Sequence, residues 1–75
     1  MDLEIINKAQ EIFSDSYSLV EERANEYANA TENRMVDVLN VLITIAQRRG
    51  PELVIGESNV RALINEEALH QLIKS

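Results

Sequence analysis

Three observations in the sequence predict an all-α protein, a small bundle of three or four helices with a long heptad-patterned first helix. Glycine and proline occur only at Gly50, Pro51 and Gly56, so nothing interrupts the first two thirds of the chain. Apolar residues recur at helical spacing before that point. The polar residues between Arg34 and Arg49 form a single narrow stripe, which a helix can present and a strand cannot.

The first helix is expected over residues 2–31. Leu3, Ile6, Phe13, Tyr17, Val20, Ala24 and Tyr27 occupy a and d positions of a heptad, with Gln10 the one polar member. Ile5, Ile12 and Leu19 form a second line beside them, so the apolar arc is wide enough for two neighbours. Glu4, Glu11, Asp15, Glu22 and Glu26 lie opposite, near one line, relieved by Lys8. The phase continues through Ser14-Asp15-Ser16, although Ser18 and Glu21 fit a capping box that would start a new helix there. An uninterrupted helix of this length spans about 45 Å, longer than the roughly 30 Å of a compact globule of this size. Either the helix breaks near Ser14 to Ser16, or a second subunit lies along it; the heptad seam favours a homodimer.

Thr31-Glu32-Asn33 suits a tight turn. The next helix is expected over residues 33–49, with Asp37, Asn40, Thr44 and Gln47 as its polar stripe and most of its perimeter buried. The β-branched residues of Val41 to Ile45 offer a strand as the rival, outweighed by the stripe and by the stop signal that follows. Arg48-Arg49, Gly50 and Pro51 make that stop, because cations suit a helix C-terminus, glycine takes the cap and proline cannot continue the ladder. Residues 50–57 read as an extended connector whose Leu53-Val54-Ile55 dock on the bundle. A last helix is expected over 58–74, capped by Ser58 or Asn59, with a kink at Asn65 to reconcile Val60, Leu63 and Ile64 with Leu69, Leu72 and Ile73. All 75 residues form one domain by length.

Composition narrows the chemistry. There is no Cys, so disulfides, thiolate metal sites and cysteine nucleophiles are excluded, and the single histidine, His70, has no relay partner at a suggestive spacing. Glu21-Glu22 and Glu66-Glu67 read as solvated helix positions and not as a desolvated acid–base pair. Two isolated glycines cannot cradle a phosphate. Glu22 and Glu26 stand one turn apart, yet no oxygen-rich calcium loop accompanies them. The sequence thus points to a protein that is not an enzyme, with no cofactor and no metal. The Asn29-Ala30-Thr31 glycosylation pattern carries no weight beside an acidic start, Asp2-Leu3-Glu4, unlike a signal peptide. A cytoplasmic, soluble protein without membrane contact is expected.

Charge is unevenly placed. The net charge is −6, with 13 acidic and 7 basic side chains. Residues 1–33 hold 8 of the acids and 2 of the bases. Direct nucleic-acid binding needs a basic face, and only Arg48 and Arg49 are adjacent. The acidic line, Glu4, Glu11, Asp15, Glu22 and Glu26, is a candidate contact face for a basic protein. The seam residues Leu3, Ile6, Phe13, Tyr17, Val20 and Tyr27 are the candidate interface. The function expected is a small acidic protein-binding module, self-associating, in a regulatory, inhibitory or adaptor role. An alternative is an acidic macromolecular mimic that inhibits a nucleic-acid-binding protein.

Residues Ala24 to Leu39, above all Thr31-Glu32-Asn33 and Met35-Val36-Asp37-Val38-Leu39, are similar to the end of the long helix, the loop and the start of the last helix in histone-fold subunits of transcription complexes. The stretch covers about a fifth of the chain. The family's arginine before the threonine is replaced by Ala30, and the segment after Gly50 has no counterpart. The resemblance implies a divergent transcription subunit that pairs with a histone-fold partner through the long helix.

Overall fold

A computed structural model describes residues 2–74, with side chains described for residues 2–67. The described residues are all helical apart from short links: α1 (Asp2–Phe13), a 3₁₀ turn (Ser14–Ser16), α2 (Tyr17–Thr31), α3 (Met35–Arg49), α4 (Pro51–Gly56) and α5 (Val60–Lys74). They pack as a small all-α bundle measuring 32 × 26 × 25 Å.

The first departure from expectation is the break in the leading helix. Ser14 adopts φ 50°, and the chain makes a 3₁₀ turn before α2 begins. Ser-Asp-Ser favours such a turn because short polar side chains compete for backbone groups; here the Ser14 hydroxyl reaches the Glu11 carbonyl at 3.4 Å. A continuous helix of about 45 Å would also overrun the 32 Å long axis. Once broken, α1 and α2 both lie along α3, and α1 delivers Ala9 and Phe13 to the core while α2 delivers Val20, Ala24 and Ala28. The overhang that favoured a second subunit is absent.

α3 is the central element, as its pattern predicts. Val36, Val38, Leu39, Leu42, Ile43, Ile45 and Ala46 are buried, whereas Asp37, Asn40, Thr44 and Gln47 are all exposed. The strand alternative at Val41 to Ile45 is not adopted. The turn into α3 is closed by Glu32, which takes the left-handed conformation at φ 59°. The Asn33 amide returns to the Ala28 carbonyl at 2.9 Å, the long bond of a Schellman motif. Thr31 donates to the Tyr27 carbonyl at 2.7 Å, and Asn33 Nδ2 donates to Thr31 Oγ1 at 2.8 Å.

α3 ends at Arg49, and Gly50 turns the corner at φ 97°. The second departure follows at once: residues 51–56 form α4 and not an extended connector. Pro51 at the start of a helix lacks only an amide that would go unused, and Glu52 stands in the first turn where negative charge is favoured. Val54 is buried while Leu53 and Ile55 pack at its flanks, so the apolar run docks as expected but in helical form.

α5 begins as predicted: Asn59 Oδ1 accepts from the Ala62 amide at 3.2 Å. It runs as one α-helix, with no break at Asn65. Val60 and Leu63 enter the core and Ile64 packs at its edge. The side chains of Leu69, His70, Leu72 and Ile73 lie outside the described residues.

Candidate functional site

The break at Ser14–Ser16 redistributes the predicted seam. Phe13 (2% exposed) and Val20 (1%) are consumed by the chain's own core, because the turn brings the ends of α1 and α2 against α3. They offer no surface to another subunit. Ile6, Tyr17 and Tyr27 are half-buried and pack against the same core, while Leu3 stands 66% exposed. The six expected interface residues therefore do not make one seam.

The acidic residues keep their exposure and lose their common line. Glu4, Glu11, Asp15, Glu22 and Glu26 are all exposed. Glu4 and Glu11 flank a shallow cleft between α1 and Gln47 of α3, together with Lys8 and Ile12. Glu22 and Glu26 line a different cleft, between α2 and the start of α5, and Asp15 stands on the 3₁₀ turn.

This second cleft, of ≈560 Å³, is the strongest candidate for a binding site. Leu19, Glu22, Glu26 and Ala30 share one face of α2 by their spacing of three and four, and Tyr27 adjoins them. Leu19 is 41% exposed, one of two large apolar side chains so placed among the described residues. Across the cleft stand Ser58, Asn59, Val60 and Arg61. The two arginines that border it are already engaged. Arg23 Nη1 donates to the carbonyls of Ile55 at 2.8 Å and Glu57 at 3.2 Å, and the Arg61 guanidinium lies over the Tyr27 ring at 5.4 Å. Glu22 and Glu26 make no hydrogen bond or ion pair among the described residues.

Two further polar relationships escaped the sequence. Of Glu66-Glu67 only the first is solvated as expected: Glu66 is exposed and pairs with Arg49 at 3.3 Å, while Glu67 is 5% exposed and pairs with Arg48. The matching dipeptides Arg48-Arg49 and Glu66-Glu67 were the signal. Tyr17 donates to Glu21 Oε2 at 2.8 Å, and its phenol is pushed up to about 12, first by burial, then by that hydrogen bond and by the carboxylate's charge.

No three of His, Cys, Asp or Glu gather to hold a metal ion among the described residues. The side chain of His70, the one histidine weighed for catalysis, lies outside them. Among the described residues no helix is long and apolar enough to cross a membrane. In the stretch that resembles a histone fold, α2 (Tyr17–Thr31) stands where the family's long helix ends and α3 where its last helix begins. No protein-family model, no curated protein and no solved structure matches this chain.

Proposed function

We propose that this chain is a small, non-enzymatic protein-binding module that receives a basic, amphipathic segment of a partner in the cleft between α2 and the start of α5, in a regulatory, inhibitory or adaptor role. One observation carries this: an exposed Leu19 sits on the same helix face as Glu22 and Glu26, two exposed carboxylates that make no hydrogen bond or ion pair among the described residues. An apolar anchor beside Tyr27 and Ala30 supplies contact area, and the exposed Glu22 and Glu26 carboxylates offer acceptors to a cationic partner, although Arg23 and Arg61 border the same cleft. The net charge of −6 acts in the same direction at longer range. A helix laid in a groove with apolar anchors and basic flanks is the recognition mode such a surface suits.

Binding of a labelled amphipathic Leu–Lys helical peptide, compared with its Leu–Glu counterpart by fluorescence anisotropy, tests this reading. The basic peptide is expected to bind with strong salt dependence, and Leu19→Asp or the pair Glu22→Gln and Glu26→Gln is expected to weaken it. Equal binding of the two peptides, or binding untouched by these substitutions, overturns it. The mimic reading requires an extended acidic face, so it predicts that Glu4→Gln, Glu11→Gln and Asp15→Gln matter equally. Division of those acids between separate clefts favours the local site. Self-association no longer has a helix overhang to cover, and light scattering at 8.5 kDa is the expected result.

A further inference from the structure

We propose that the break at Ser14–Ser16 is a hinge for exchange between copies of this chain: α1 and α2 straighten into one helix, and each α1 docks on the α3 of a second copy. This does not depend on what the α2 cleft binds.

The conformation at the break is the first support. Ser14 holds φ 50°, a left-handed position that is costly for a residue with a Cβ, and Ser16 sits at φ −91°, ψ 1°, in the sparsely populated bridge region. The other left-handed side-chain-bearing residue, Glu32, closes a Schellman turn in which the Asn33 amide returns to Ala28. Ser14 has no such turn to complete, and its hydroxyl makes only the long 3.4 Å bond to the Glu11 carbonyl. The Ser16 side chain, at the N-cap of α2, makes no capping bond, whereas Asn59 caps α5. Helical geometry through these three residues removes the strain and extends the backbone ladder.

Register is the second. Ala9, Phe13, Val20, Ala24 and Ala28 are the buried residues of α1 and α2. At 3.6 residues per turn these positions of one unbroken helix fall within an arc of about 100°. A bend sets the two halves independently and needs no shared phase, whereas a continuous helix needs a single apolar face.

Exchange also conserves the contacts. α1 packs chiefly on α3, to which it brings Ala9 and Phe13, and in the exchanged pair the same side chains meet the same surface on the other copy. Burial is kept and the hinge strain is lost, while the entropy of association opposes the pair. The monomer therefore prevails at dilution and the pair at high concentration. A straight helix of about 45 Å overruns the 32 Å bundle of one copy, and the second copy covers the excess. The α2 cleft is lined from α2 and residues 58–61, so exchange leaves two such clefts on one particle. The cleft in which Glu4, Lys8, Glu11 and Ile12 face Gln47 becomes one built by both chains.

Refolding the full chain at high concentration, followed by light scattering, tests this. A fraction at twice 8.5 kDa is expected. Ser14→Ala with Asp15→Glu and Ser16→Ala, which favour helix through the hinge, should raise the dimerisation constant at least about tenfold. Ser14→Gly, which relieves the left-handed position of the bent form, should lower it at least about tenfold. Cross-linking separates exchange from mere surface contact. The chain has no Cys, and Asp2 on α1 pairs with Arg34, just before α3, at 2.7 Å. With Asp2→Cys and Arg34→Cys, a short bis-maleimide should close within one chain in the monomer fraction and join two chains in the dimer fraction on a denaturing gel. A dimer fraction whose cross-links close within single chains, or no dimer from the unaltered protein and the helix-favouring variant alike, overturns the exchange. If the helix-favouring variant does not fold, the unaltered protein and Ser14→Gly decide, and equal dimer yields from those two overturn it.

Discussion

Arg23 on α2 donates to the carbonyl of Ile55, 32 residues away, at 2.8 Å, so a side chain of one helix completes the end of another. α4 has only six residues, and the carbonyls of its last turn lack partners within it. The Glu57 amide serves Leu53, and Arg23 serves Ile55 and Glu57. The bond to Ile55 is partly buried and that to Glu57 exposed, and a charged donor to a partly buried carbonyl contributes about 1.5–3 kcal/mol. Arg23→Met should lower stability by that amount, read as a shift in urea midpoint with the slope unchanged, and Arg23→Lys should recover part of it. A loss under about 0.5 kcal/mol would show that water caps α4 equally well.

Two left-handed residues make opposite predictions. Glu32 occupies the position after α2 that glycine fills most cheaply, and its side chain is exposed. Glu32→Gly should therefore stabilise the protein by about 0.5–1 kcal/mol, after the added freedom of the unfolded chain is counted. Gly50 already carries the residue its φ of 97° requires, and a Cβ there would lie 3.3 Å from the Glu52 carboxylate. Gly50→Ala should destabilise by more than about 1 kcal/mol. Thermal melting of both variants checks the pair, and shifts of the same sign would refute the account of these turns.

Helix propensity, the polar stripe of α3 and the stop at Arg49 were legible because each depends on residues adjacent in sequence. The break at Ser14–Ser16 was legible only as one of two alternatives, since heptad phase survives a three-residue turn and the 32 Å extent of the bundle is what decides against continuity. α4 was hidden for a related reason. Pro51 and Gly56 bracket it as they would a loop, and the Arg23 side chain that completes it is remote in sequence. The acidic residues were identified individually and their exposure was foreseen. Their separation into two clefts was not, because it follows from the same break. Glu67 was misplaced because burial of a carboxylate depends on a partner, Arg48, that only tertiary packing supplies.

Tyr17 makes stability depend on alkaline pH. Burial, the bond to Glu21 and the Glu21 charge all oppose the phenolate, which raises its pKa in the folded protein to about 12 from 10.0. The folded state thus holds the proton more tightly than the unfolded chain. Its stabilising contribution is fully present below pH ~10 and is lost as pH rises through about 12. The difference in stability between the unaltered protein and Tyr17→Phe should be constant below that window and change across it. In a Tyr27→Phe background, phenolate absorbance reports Tyr17 alone, and Glu21→Gln should lower its midpoint. A midpoint near the free value of about 10 would contradict the geometry.

The Arg48–Glu67 pair separates two effects that a contact alone conflates. Glu67 is buried on α5, whereas the Arg48 side chain on α3 is partly open to water. Removing only the cation leaves a carboxylate with no countercharge in a buried position, so Arg48→Met should cost about 3 kcal/mol. Replacing both partners removes the need for either charge. Arg48→Met with Glu67→Leu should come within about 1 kcal/mol of the unaltered protein, because the seam against α3 becomes apolar throughout. Chemical denaturation of the two single variants and the double variant closes the cycle. A double-variant loss well below the sum of the single losses supports a pair whose members are costly apart and nearly neutral together. Additive losses would mean that Glu67 draws its stability from packing and that its carboxylate tolerates the site without Arg48.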